Sequence, residues 1–414
     1  MGSQYSASLI SAVKMKFPEI PQILLILAGS FVIAQAGSAA EFRFGDQTIT
    51  VPDGFVVEKV AGSPLTDRPI TSDFDELGRL YVAESSGAND SVETQLKEKP
   101  HSILRLEDSD GDGFFDKRTV FADKMMFPAG TMWHDGSLYV TAPPEIWKLT
   151  DTDDDGVADK REVWYDPGTL TGCANDLHGP YLGLDGWIYW TKGAFAEQVH
   201  ELTTGEPFVT RAAHIFRMHP DGGGVESVMT GGMDNPVELA FTPDGERIFS
   251  ATFLQHPGGG KRDGLIHAIY GGTYGKVNGV VDDHPRTGEL LPPMTHLGPA
   301  AACALMRYES GVFGEPYRDN LFSSSFNLAK VTRHKLVSDG STFRTVDTDF
   351  MVSDSTDFHP THIEEDADGS LLVIDTGAGT NCVVQLHNCI SPMCWVASIA
   401  SVRKVHRWLK IRVD

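Results

Sequence analysis

A turn followed by a short apolar strand recurs along this chain at a nearly fixed interval, and that period restricts the folds open to it. The copies read DELGRLYVAES around Gly78, HDGSLYVTAP around Gly136, LDGWIYWTKG around Gly186, PDGERIFSATF around Gly245 and DADGSLLVIDTG around Gly369. The first four glycines lie 50 to 59 residues apart. The last gap, 124 residues, is about double, and YRDNLFSSSF (Tyr317 to Phe326) fills it as a degenerate copy. Six units result. Each turn supplies the positive φ of a tight hairpin, and the strand after it alternates between faces. Helical periodicity is almost absent after residue 40. These features predict an all-β fold, a six-bladed β-propeller over residues 41–380, because radial repetition leaves only short, protected sheet edges. Either FRFGDQTITV or FVVEKVAG is expected to complete the last blade. A pair of β-sandwiches is the alternative, but it does not explain the fixed period.

The bulk numbers agree with a soluble globular chain: 414 residues, 41% hydrophobic and 22% charged. A net charge of −23 argues against nucleic acid as a partner, since phosphates would be repelled. At the N-terminus, Lys14 and Lys16 precede IPQILLILAGSFVIAQAGSAAEF, an apolar run ending in small residues. That is the layout of a secretory signal peptide over residues 1–40, with a cut between Ala40 and Glu41. The chain is therefore expected to be exported, to the periplasm or the extracellular space. Retention of the segment as a membrane anchor is the alternative. Of the five cysteines, Cys173 and Cys303 lie in the body, where an oxidising compartment would let them pair. Cys382, Cys389 and Cys394 fall in an atypical tail, residues 381–414.

Two acidic loops repeat with the blades. DSDGDGFFDKRTV places Asp108, Asp110, Asp112 and Asp116 around a sharp turn at Gly113, and DTDDDGVADKREV repeats the phrase with Asp151, Asp153, Asp155, Asp159 and Gly156. Carboxylates on alternate loop residues can converge on one hard cation, as in an EF-hand loop. At loop position 12 the first has Thr119 and the second Glu162, so only the second carries the whole pattern. Calcium at a structural site is the expected occupant, and a merely solvated acidic turn is the alternative.

GCANDLHGPYLGLDGWIYW, MDNPVELAFTPDG, HLGPAAACALMRY and FHPTHIEEDADGSLLVIDTG resemble the soluble quinoprotein glucose/sorbosone dehydrogenases. More closely, with FLQHPGGGKRDGLIHAIYGGTYGK, the chain resembles the N-terminal propeller of the membrane-bound dehydrogenases of planctomycetes. The resemblance covers about residues 48 to 378. It implies hydride transfer from a sugar or alcohol hydroxyl to pyrroloquinoline quinone, with His178 in NDLHGP as the base. It also implies an electron-accepting cytochrome domain, absent from this chain, as a partner. The family's Arg-Asn-Pro pocket motif reads Asp234, Asn235, Pro236 here; an Asp beside a tricarboxylate is repulsive. A loop cation, Lys276 in particular, with Lys192, Lys261 and Arg262 as others, would have to offset it. His256, His267, His296, His359 and His362 are the remaining histidines of interest, and His178, Asn235, His296 and His362 are expected to meet at one end of the channel. Asn235, Lys276, His296 and His362 are the expected cofactor contacts.

Two functions follow: an exported quinoprotein-type sugar or alcohol dehydrogenase, or a catalytically silent propeller that binds glycan or a protein partner. The tail CISPMCWVASIASVRKVHRW departs from the family pattern. Ser391 to Ala400 admit codons that, read in a shifted frame, give Pro-Asp-Val-Leu-Gly-Gly-Ile-Tyr-Arg, which resembles how these propellers end a final strand. A frameshift after roughly Gly377 is the expectation, with a poorly packed tail.

Overall fold

A computed structural model describes residues 39–88, 90–168, 177–254, 261–277, 279–377 and 407–413. Six sheets are arranged as the blades of a propeller, each built on four antiparallel strands; blade three adds Gly272–Tyr274, which pairs parallel with Glu226–Gly231 at its outer edge. Blade one runs Pro69–Phe74, Leu80–Glu84, His101–Glu107, Lys117–Met125 from the centre outward. Blade two runs Gly130–His134, Ser137–Ala142, Glu145–Thr150, Lys160–Tyr165. Blade three begins at His178–Leu182 and Ile188–Lys192, and blade four at Asn235–Phe241 and Arg247–Thr252. Blade five begins at Ala302–Arg307 and Leu321–Ser325, so the degenerate copy does supply a second strand.

Blade six is closed by both ends of the chain. Its order is Pro360–Glu365, Leu371–Asp375, Arg407–Val413, Phe55–Gly62. FVVEKVAG thus completes the last blade, whereas Gln47–Pro52 and Ala39–Phe44 extend the outer edge of blade five. Arg407–Val413 lies within the tail that the sequence sets apart. Ile411 is fully buried there and Lys410 pairs with Asp366 at 2.8 Å and Asp368 at 3.1 Å. Loose packing does not describe this segment. The proposed signal segment up to residue 38 lies outside the described residues, as do Cys173, Cys382, Cys389, Cys394 and His256.

The repeated turns behave as expected: Gly78, Gly136, Gly186, Gly245 and Gly369 have φ between 71° and 83°. The strands after them differ from a half-exposed alternation, being buried along their whole length in blades one, two, three and six. A second strand has a neighbouring blade on each face, so both faces are covered. Apolar clusters fill the six blade interfaces. Trp190 and Phe216 pack with Ile146 between blades two and three, for example, and Leu80 and Val82 with Leu372 and Ile374 between blades one and six.

Candidate active site

The six inner strands line a central channel. Their first residues, Pro69, Gly130, His178, Asn235, Ala302 and Pro360, ring one mouth; their last residues and the hairpin turns ring the other.

At the first mouth, blades three and four bring His178 and Asn235 together, with Nε2 2.8 Å from Oδ1. The amide oxygen is an acceptor, so Nε2 carries the hydrogen and Nδ1 keeps the lone pair. Both strand starts are pinned: the Thr141 hydroxyl donates to the Gly179 carbonyl at 2.7 Å, and the Thr191 hydroxyl to the Pro236 carbonyl at 2.8 Å. Burial lowers the His178 pKa to about 4, and the bond to Asn235 opposes this only in part. The imidazole is therefore neutral at pH 7, the form a base requires.

Asp234, beside this pair, is ion-paired with Lys276. The Lys276 ammonium stands 5.7 Å and the Arg262 guanidinium 5.0 Å from the centre of the Phe253 ring. Arg262 in turn donates to Asp263 at 2.6 and 2.8 Å. Each cation faces a carboxylate, so the repulsion that Asp234 alone would exert on an anion is largely cancelled.

Deeper in the channel, His362 Nδ1 lies 3.4 Å from the Thr71 hydroxyl and 3.9 Å from Glu238 Oε1. Burial lowers His362 to about 4 and raises Glu238 to about 8. Both shifts favour uncharged forms, so this contact is not an ion pair at neutral pH. From here to the hairpin mouth extends a cavity of about 640 Å³, whose lining includes Asp73, Trp133, Tyr181, Glu238 and Glu364. Burial pushes Asp73 up to about 7 against the Trp133 N–H that donates to it at 2.6 Å. Burial, then the charge of Asp73, holds Glu364 well above the carboxylate range.

The other expected contacts lie elsewhere. His296 is exposed on the outermost strand of blade four, Thr295–Gly298. Three strand spacings, about 14 Å, separate that strand from the channel. His267 joins Glu246 at 2.9 Å to Thr342 at 3.1 Å away from the channel. His359 stacks on Phe326 at the start of blade six. The Lys192 ammonium is buried against the carbonyls of Gly193 and Ala212. Cys303 is a free thiol. The acidic loops occupy equivalent places between the third and fourth strands of blades one and two. In the first, Asp108, Asp110 and Asp112 converge; in the second, Asp151, Asp153 and Asp159 do. Asp116 turns to Ser109, Asp155 to the Val157 N–H, and Glu162 to Lys160 at 2.7 Å.

Blade five holds an array that sequence motifs did not reveal. Ser323 Oγ is 2.8 Å from His334 Nε2, and His334 Nδ1 is 2.8 Å from Asp347. Ser323 and His334 are fully buried, so no substrate reaches the hydroxyl and the array braces three strands. Asp73, Glu238 and Glu364 were also missed. Only Glu238 has a sequence signal, a carboxylate within the largely apolar inner strand NPVELAF; PITSDF and PTHIEE, which carry Asp73 and Glu364, have none.

Residues 45–407 match a family described as a domain of unknown function, DUF7133. The chain belongs to this family. No curated protein matches it. Among solved structures, this DUF7133 propeller is similar to the holo pyranose dehydrogenase PQQ domain of Coprinopsis cinerea, at 12% identity and TM-score 0.56, covering 88% of this chain and 97% of that one. The PQQ-bound aldose sugar dehydrogenase of Streptomyces coelicolor gives 12% identity and TM-score 0.55, covering 88% and 100%. A calcium structure of a carbohydrate-active enzyme of family AA12 from Trichoderma reesei gives 13% and 0.57, covering 88% and 97%. At these identities the likeness establishes the fold alone, a six-bladed β-propeller.

Proposed function

We propose that this chain is a sugar or alcohol dehydrogenase of the quinoprotein type, allied to the planctomycete membrane-bound dehydrogenases and exported after loss of residues 1–40. The observation that carries the reading is the His178–Asn235 pair at a channel mouth where Lys276 neutralises Asp234. Asn235 fixes the ring through Nε2, and Nδ1 takes the substrate hydroxyl proton. The residues present fit one carboxylate of a planar quinone: Lys276 faces Asp234 with one of three ammonium hydrogens, and its side chain is 23% exposed. Lys276 and Asn235 would hold pyrroloquinoline quinone, which supplies the hydride acceptor when bound. His362 and Glu238, uncharged below the mouth, keep the channel floor free of a competing charge. An electron-accepting cytochrome domain is the proposed downstream partner.

The glycan-binding alternative is favoured by a different observation, the hairpin-side cavity, whose aromatic walls and carboxyl groups suit a polyhydroxy ligand. One experiment separates the two. Purified protein is titrated with pyrroloquinoline quinone and calcium, and dye reduction is followed with a panel of sugars and polyols. Quinone-dependent reduction supports the dehydrogenase. Glycan binding without any reduction supports the silent propeller.

A further inference from the structure

The two acidic loops differ in one respect that their sequences hide. In the first, Asp108 is satisfied by its own backbone: Gly111 N–H donates at 2.8 Å to one oxygen and Gly113 N–H at 2.7 Å to the other. In the second, Asp151 occupies the same place but is buried against blade one, its side chain only 6% exposed. Its Oδ2 accepts from Gly156 N–H at 2.8 Å and from Arg105 at 3.3 Å. Its Oδ1 is buried with no hydrogen-bond partner. A buried carboxylate oxygen with no partner is costly. That oxygen belongs to a residue whose ligand atom lies within 4.8 Å of those of Asp153 and Asp159. Asp159 commits Oδ2 to Thr152, at 2.7 and 2.6 Å.

We infer that the loop Asp151–Asp159 is a divalent-cation site, with Asp151, Asp153 and Asp159 as ligands and calcium as the fitting ion, and that the first loop is not. An all-oxygen donor set suits a hard cation of variable coordination such as calcium; magnesium asks for stricter octahedral geometry.

The site also straps two blades together. Arg105, on blade one, reaches Asp151, and Arg79 reaches Asp154 at 2.5 Å. Ala158 N–H donates to the Phe121 carbonyl of blade one at 2.8 Å. Gly156, at φ 96°, lies so close that a Cβ there would stand 2.6 Å from Arg105 Nη2. A cation ordering this loop therefore stabilises the interface between blades one and two, independently of any chemistry at the channel mouth.

The test uses full-length protein stripped with EDTA. Isothermal titration with calcium chloride should give one site, and thermal melts should shift upward with calcium. Asp153→Asn changes an exposed ligand and keeps the loop's internal bonds. It should weaken calcium binding about tenfold or more, since carboxylate count sets affinity in such loops. Asp151→Asn should do the same, and Asp108→Asn should leave calcium affinity unchanged. The inference is overturned by wild-type protein showing neither heat nor a melting shift at millimolar calcium, or by Asp108→Asn abolishing binding while Asp153→Asn retains it. Because the readouts are binding and melting, they do not depend on dehydrogenase activity.

Discussion

At the scale of single residues, the channel is governed by groups that burial keeps uncharged. His178 has a folded pKa of about 4 against an ordinary 6.5. Its contribution to stability is full above 6.5 and is lost as pH falls through about 4. The same shift sets the acid limb of activity. The pH profile of kcat/KM should fall only near pH 4, and a limb near 6.5 would show that another base is at work. His178→Ala should cut turnover about 10²–10⁴-fold, the usual worth of a positioned base, while circular dichroism stays native. Glu238 shifts the opposite way, from 4.5 to about 8. A raised carboxyl stabilises the fold fully below its unfolded pKa and loses that contribution as pH rises through the folded one. Glu238→Gln should therefore melt higher than wild type at pH 9, with a smaller difference at pH 5. Equal differences at both values would show that Glu238 is not buried in its acidic form.

Among elements, the decisive one is the strand that closes the ring. Arg407–Val413 fills the gap between Leu371–Asp375 and Phe55–Gly62. Without it both neighbours expose an unpaired edge. Burial of Ile411 alone is worth about 1.5–3 kcal/mol. Truncation before Arg407 should lower the melting temperature sharply or prevent recovery of soluble protein; an unchanged melt would mean that this strand does not close the ring. The proposed frameshift makes a companion expectation. A chain carrying the alternative frame from Gly377 should close blade six at least as well, measured by the same melt. The acidic loops illustrate the same dependence on context: one phrase written twice has different bonding because only the second lies against an arginine of the preceding blade.

Over the whole molecule, 57 acidic residues against 34 basic ones leave a self-repelling surface. Individual surface ion pairs contribute only about 0–1 kcal/mol each, so screening the excess should outweigh their loss. In EDTA, raising sodium chloride from 0.01 to 0.15 M shortens the Debye length from about 30 to about 8 Å. The melting temperature should rise, and a fall would show that attractive pairs dominate. Six blades with separate interface clusters also explain why the channel can hold unusual groups: its walls need not provide the core.

The sequence by itself determined the number of blades and their turns, because period and turn chemistry are local; it left two candidates for the strand that completes the last blade, and the structure chose Phe55–Gly62. It also marked the acidic loops, by residue type and spacing, whereas His178 and Asn235 were legible only through the family resemblance. Only the tertiary structure decided which of them meet. His296 shares a blade with Asn235 yet stands three strands out, since sequence proximity within a blade is radial distance in space. Lys276 and Asp234 are far apart along the chain and form one ion pair. Glu238 and His362 are held uncharged, and Asp73 is pushed up to about 7, because strands from different blades bury them together. Desolvation depends on every neighbour at once, and no local pattern encodes it.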